Sequence, residues 1–153
     1  MADARQVANE LLVDIFDDIL MIEENVMRAM GHHNVTMTEV HTIEAIGRVE
    51  EKTMSTVAEA LEITVGTLTT AVNKLVKKNL VTRMRDESDR RIVLIRLTEE
   101  GQVIFDAHEQ FHRDMIDHLM KDLELTDECE LIKSLANLRD FFKIKRREIM
   151  KKI

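Results

Sequence analysis

Apolar residues recur along this 153-residue chain with two different periods, and the changes of period mark out its elements. From Asp3 to Met30, Val7, Leu11, Ile15, Ile19, Ile22, Val26 and Met30 step by three or four, which predicts one long helix with a single apolar stripe. Gly31 then supplies a left-handed stop. A second helix is expected from about Thr38 to Ile46, ending at Gly47. Two short helices follow, Thr53–Leu61 and Thr64–Lys78, separated only by Glu62-Ile63. The pattern then shortens to strands: Val81–Arg85, a polar tip from Asp86 to Arg91, and the apolar run Ile92–Leu97. Thr98–Lys121 is amphipathic again, with Val103, Ile104, Phe111, Met115 and Leu119 on or near one face. Thr126, followed by Asp127 and Glu128, reads as the N-cap of a last helix carrying Leu131, Leu135, Leu138 and Phe142. That helix closes in Lys143, Lys145, Arg146, Arg147, Lys151 and Lys152, cations suited to the negative end of its dipole.

Two short helices joined by a tight turn are a helix-turn-helix, whose second helix lies in the DNA major groove. A hairpin directly after it makes a winged one. The expected fold is therefore mainly α, a winged helix-turn-helix with long terminal dimerisation helices and a two-stranded β-wing. One domain is expected over 1–153, with dimerisation helices at 1–35 and 122–153, a winged core at 36–101 and a connecting helix at 98–121. The stripe on the first helix exceeds what a small winged core can cover, so part of it is expected to face a second subunit. A twofold protein of this kind reads two half-sites related by the same twofold.

Composition agrees. Proline is absent and there are only 4 glycines, so little interrupts helices. No apolar run is long enough to cross a membrane, and the acidic, mixed N-terminus lacks the apolar core of a signal peptide. One cysteine forms no internal disulfide, and a cytoplasmic location is expected. The net charge of −7 argues against nucleic acid until its distribution is read. Residues 53–98 hold eight basic against five acidic side chains, a local +3 that leaves −10 elsewhere. The local field is what phosphate meets.

Along Thr64–Lys78, Leu68, Val72 and Leu75 are expected to pack inward against Val57 and Leu61. The opposite face carries Gly66, Thr70, Asn73 and Lys77, flanked by Thr67, Thr69 and Lys74. Threonine bonds phosphate or sets its methyl against that of thymine, and asparagine pairs bidentately with adenine. No arginine on this helix is available for guanine, which favours an AT-rich, palindromic operator. Thr64 sits at the N-cap; Gly66 suits a backbone that another surface must approach; Lys74 and Lys77 suit phosphate. On the wing, Asp89 is spaced to hold an arginine for a narrow minor groove, and either Arg90 or Arg91 could be the one that enters.

The text from Thr56 to Gly101 resembles the winged-helix core of the MarR family of bacterial regulators. Asp89-Arg90-Arg91 and Leu97-Thr98-Glu99-Glu100-Gly101 match its most specific motifs. Departures are Glu62 and Asn79, where glycine is usual, and Thr70, where arginine is frequent. Within the family, Glu23-Glu24-Asn25, the Met37–Gly47 segment and Leu135–Lys143 are similar to the fatty-acid-synthesis repressors of streptococci and related lactic bacteria. That resemblance implies acylated acyl carrier protein as corepressor, its acyl chain lying between the first, second and fifth helices. Met21, Met27, Met30, Ile43 and Phe105 are the expected lining, methionine being an adaptable gap-filler.

Histidine supplies the alternative. His108 and His112, at i and i+4, can reach one zinc, and His41 and Glu24 resemble ligand positions of the zinc-uptake repressor of the same family. Cys129 lies between Glu128 and Glu130, which oppose a reactive thiolate. No phosphate loop, nucleophile elbow or catalytic cysteine–histidine context is present, so no enzyme is expected.

Overall fold

A computed structural model describes residues 3–48, 50–121, 123 and 130–150. The elements follow in the order α1 (Ala4–Ala29), α2 (Met37–Ile46), β1 (Lys52–Thr53), α3 (Met54–Ala60), α4 (Val65–Lys77), β2 (Val81–Arg85), β3 (Val93–Leu97), α5 (Glu99–Met120) and α6 (Glu130–Met150). They divide into two compact units, 1–112 and 113–153. The second unit holds the last turns of α5 and all of α6. No helix among the described residues is long and apolar enough to cross a membrane. The expected N-cap Thr126, with Asp127, Glu128 and Cys129, and the terminal Lys151 and Lys152 lie outside the described residues.

Capping chemistry sets the helix ends. Thr36 and Glu39 form a reciprocal capping box on α2: Thr36 Oγ1 accepts from the Glu39 N–H at 3.3 Å, and Glu39 Oε2 from the Thr36 N–H at 2.9 Å. Thr53 and Thr64 cap α3 and α4, each accepting the N–H three residues on at 3.1 Å. Three helices stop in the same way, with a left-handed residue and a bond running back from the residue after it. Gly31 follows α1 (φ 82°, His32 N–H to Met27 O), Glu62 follows α3 (φ 55°, Ile63 N–H to Ala58 O) and Asn79 follows α4 (φ 58°, Leu80 N–H to Leu75 O). Glu62 and Asn79 thus keep the glycine-like backbone without glycine.

The expected two-stranded wing is part of a three-stranded antiparallel sheet in the order β1-β3-β2. The added strand pairs Lys52 with Ile95 and Thr53 with Leu94. It is two residues long, too short to show alternation in sequence. β2 and β3 pair from Val81–Leu97 to Arg85–Val93. Val57, Leu68, Val72, Leu75, Val81, Ile95 and Ile104 are fully buried together with Val40, Ile43 and Ile46 of α2, so the core lies between α2, α4 and the sheet.

Thr98 joins these layers. Its N–H donates to Leu80 O at 3.1 Å, its hydroxyl donates to Asn79 O at 2.7 Å, and the same oxygen accepts the Gly101 N–H at 3.0 Å. A Cβ at Gly101 would run into the Leu80 carbonyl, so the motif Leu97–Gly101 locks the start of α5 onto the turn after α4. Lys78 at the end of α4 donates to both Glu39 carboxylate oxygens, at 2.6 and 2.8 Å, and to Asn34 O. Burial pushes the Glu39 carboxyl up, but the hydrogen bonds from Lys78 and Thr36 and the Lys78 charge together hold it below its ordinary value.

Candidate nucleic-acid interface and effector cluster

α4 turns Leu68, Val72 and Leu75 into the core, which leaves Thr64, Gly66, Thr67, Thr70, Asn73, Lys74 and Lys77 exposed and Thr69 half-buried. The threonine hydroxyl hydrogens are partly committed. Thr69 donates to Val65 O at 2.7 Å and Thr70 to Gly66 O at 3.3 Å, while the Thr64 and Thr67 hydroxyls share a bond of 2.9 Å. The side chains are thereby held with their methyl groups and remaining lone pairs available to a partner. Gly66 has an ordinary helical backbone, and a Cβ there would meet only Thr64 Oγ1 at 3.8 Å. The chain itself does not require glycine at this position.

At the wing, Asp86 Oδ1 accepts the Ser88 and Asp89 N–H groups at 2.8 and 2.9 Å and the Ser88 hydroxyl. The Ser88 hydroxyl, followed by the two backbone donors, draws the Asp86 carboxyl below its usual pKa. Asp89 in turn grips Arg91: Oδ1 accepts from its N–H at 3.0 Å and its Nε at 3.1 Å, and Oδ2 from Nη2 at 3.4 Å. The Arg91 side chain is 91% exposed, so its charge is oriented yet open to solvent. Arg90 is exposed and has no ion-pair partner among the described residues. A groove of about 460 Å³ between the starts of α3 and α4 and the wing is lined by Thr53, Ser55, Val65, Thr69, Arg91 and Val93. One residue escaped the sequence reading. Arg83 of β2 donates to Asn73 Oδ1 at 2.7 Å and to Thr69 O at 3.3 Å. The available signal was strand parity, since Arg83 shares a face with buried Val81.

The five apolar candidates do not fall together. Met27 and Ile43 are buried in the core cluster and Phe105 packs against it, whereas Met21 and Met30 are exposed. A depression of about 220 Å³ touches Met27 but is otherwise lined largely by polar residues, among them Glu24, Arg28, His32, His33 and Thr36.

The histidines do converge. Glu23 Oε1 lies 3.1 Å from both His108 Nε2 and His112 Nε2, and those two nitrogens are 3.2 Å apart. His41 closes the group, one donor atom each of Glu23, His41 and His108 lying within 4.8 Å of one another. Glu44 Oε2 stands 3.9 Å from His108 Nδ1. Glu24 does not take part; its carboxylate faces Arg28 at 3.6 Å, exposed. The acidic member is Glu23, one turn before buried Met27 and itself only 4% exposed. Burial, and then the neighbouring His112, lower the His108 pKa against the opposing pull of Glu44 and Glu23. The lowered pKa favours the neutral imidazole, the form that ligates metal.

A helix presenting threonines and asparagine, beside a wing with an oriented arginine, defines a winged helix-turn-helix DNA-binding protein. Comparison with known proteins agrees. The MarR family signature matches residues 35–93. FabT of Streptococcus pneumoniae, solved in complex with DNA, is 35% identical over 91% of this chain and 97% of that one, with a TM-score of 0.77. The repressor MdtR of Bacillus subtilis is 24% identical over 69% of this chain and 68% of its own length. SarZ of Staphylococcus aureus is 36% identical over 49% of this chain and 51% of its own. The chain belongs to the MarR family. It is a DNA-binding transcriptional regulator of that family; its relatives and fold are those of regulators rather than enzymes.

Proposed function

We propose that this chain is a cytoplasmic homodimeric repressor of fatty-acid-synthesis genes, and that long-chain acylated acyl carrier protein strengthens its grip on a palindromic, AT-rich operator. The observation that carries this reading is the likeness to pneumococcal FabT across nearly the whole chain, joined to the local resemblances around Glu23, His41 and Leu135. DNA is read by Thr67, Thr69, Thr70 and Asn73 on α4, with Thr64 and Gly66 at its start, while Lys74 and Lys77 hold phosphate. Arg91, positioned by Asp89, enters the minor groove, and Arg90 lies along the backbone. The acyl tail parts Met27, Ile43 and Phe105, with Met21 and Met30 at the rim. Entry of the tail into a packed core couples lipid to DNA, because only differential affinity for the DNA-competent state shifts the equilibrium. Carrier proteins are acidic, so docking uses cations such as Arg28 or Arg48. These face Glu24 at 3.6 Å and Asp106 at 3.2 Å, partners a carrier protein would have to displace.

A second reading is favoured by the Glu23–His41–His108–His112 cluster. Ligand atoms around a tetrahedral zinc with bonds of about 2.0–2.1 Å stand about 3.3 Å apart. The edges of 3.1, 3.1 and 3.2 Å between Glu23, His108 and His112 match that spacing. In this reading zinc is the effector, and Glu23 replaces Glu24 as the acidic ligand. One titration separates the two: operator binding measured with acylated carrier protein, with unacylated carrier protein, and with zinc. Enhancement by the acylated form alone supports the lipid reading. Enhancement by zinc that His108→Ala abolishes replaces it with the metal one.

A further inference from the structure

Arg83 belongs to β2, yet its guanidinium lies across the middle of α4, donating to Asn73 Oδ1 at 2.7 Å and to Thr69 O at 3.3 Å. A guanidinium has donors and no acceptor. The Asn73 atom that meets it must therefore be the carbonyl oxygen, and this decides which way the amide faces. With Oδ1 committed to Arg83, Nδ2 is the other arm of the amide, its two hydrogens are the donors left for a partner, and one lone pair of Oδ1 remains. A freely rotating asparagine would offer donor and acceptor interchangeably. A held one does not.

We propose that Arg83 is a specificity-determining positioning residue: it holds Asn73 in one amide orientation, so that the operator base opposite must present an acceptor to Nδ2. Adenine satisfies the held amide completely, N7 accepting from Nδ2 while N6 donates to Oδ1. Guanine and thymine satisfy the donor only. Cytosine, which shows an amino donor on its major-groove edge, sets NH2 against NH2 and is rejected. The fold supplies from the sheet the arginine that the recognition helix lacks, and uses it to orient a reader. This inference rests on the reading in which Asn73 faces bases.

The test is selection from a randomised duplex library by the full-length wild type and by Asn73→Ala, Arg83→Ala and Arg83→Lys, with thermal melts of each. Asn73→Ala is expected to flatten one base position, losing discrimination of about 5- to 150-fold. Arg83→Ala should flatten that same position and leave the others sharp. Arg83→Lys keeps the charge but not the planar fork, and should leave the base preference lost. Unchanged melting temperatures are expected for the exposed Arg83. If Arg83→Ala weakens all sequences alike and Arg83→Lys rescues it, Arg83 is a phosphate contact and the proposal fails. If it flattens a different position from Asn73→Ala, Arg83 reads a base itself and the proposal also fails. A wild type showing no position sensitive to Asn73→Ala would bring down the Asn73 reading and the proposal together.

Discussion

Gly66 sits at the second position of α4, where a Cβ would make only an ordinary contact with Thr64 Oγ1 at 3.8 Å, so the fold itself does not require glycine there. Gly66→Ala is expected to leave the melting temperature unchanged or raise stability by up to about 1 kcal/mol, since alanine favours helix. Operator affinity should fall by about 1–3 kcal/mol if a DNA backbone approaches there, as overpacking does in a tight interface; fluorescence anisotropy with labelled duplex measures it. Glu39 makes the opposite kind of contribution, within the fold. Its folded pKa is lowered, so its contact with Lys78 stabilises the protein above the ordinary value of 4.5 and is lost as pH falls through the lower folded value. Glu39→Gln should cost about 1–3 kcal/mol at pH 7 and flatten the fall of stability on the acid side of pH 4.5, measured by urea unfolding across pH. Single residues also mark where sequence reading runs out. Spacing on one helix brought His108 and His112 together, but two adjacent glutamates on α1 differ only in facing, and tertiary packing selected Glu23 over Glu24.

At the scale of elements, α4 was legible because one 3.6-residue period separated Leu68, Val72 and Leu75 from the threonine face. Its neighbour β1 was not, because two residues carry no period and its partner β3 lies some forty residues further on, Lys52 opposite Ile95. Asn79 announced its left-handed turn, as asparagine commonly does; Glu62 shows the same backbone with a residue that gives no such signal. The Leu97–Gly101 motif was recognised as text, and its reason is structural: Gly101 must pass the Leu80 carbonyl. Gly101→Ala should destabilise by about 1–3 kcal/mol, seen as a lower urea midpoint with an unchanged slope. Loss of DNA affinity without loss of stability would contradict that account.

At the scale of the whole molecule, α1 exposes a continuous run of large apolar side chains, including Leu11, Ile15, Phe16, Leu20 and Ile22. Such a face marks an interaction surface, and the proposed homodimer covers it. Ile15→Glu should shift sedimentation toward monomer at micromolar concentration and weaken binding to a palindrome far more than to a half-site. Charge is segregated along the chain, with residues 53–98 at +3 and the remainder at −10, so the segment holding α3, α4 and the wing is the one whose local field favours phosphate.

The most direct test of the reading face is operator binding by wild type, Asn73→Ala and Lys77→Ala, on matched and single-mismatch duplexes over a range of salt. Asn73→Ala should cost about 1–3 kcal/mol on the matched site and little on the site mismatched at its own position. Lys77→Ala should weaken every duplex alike and reduce the salt slope by about one unit. If the two variants lose affinity equally on matched and mismatched sites, with the same change in salt slope, α4 does not read bases through Asn73 and the account of this interface is wrong.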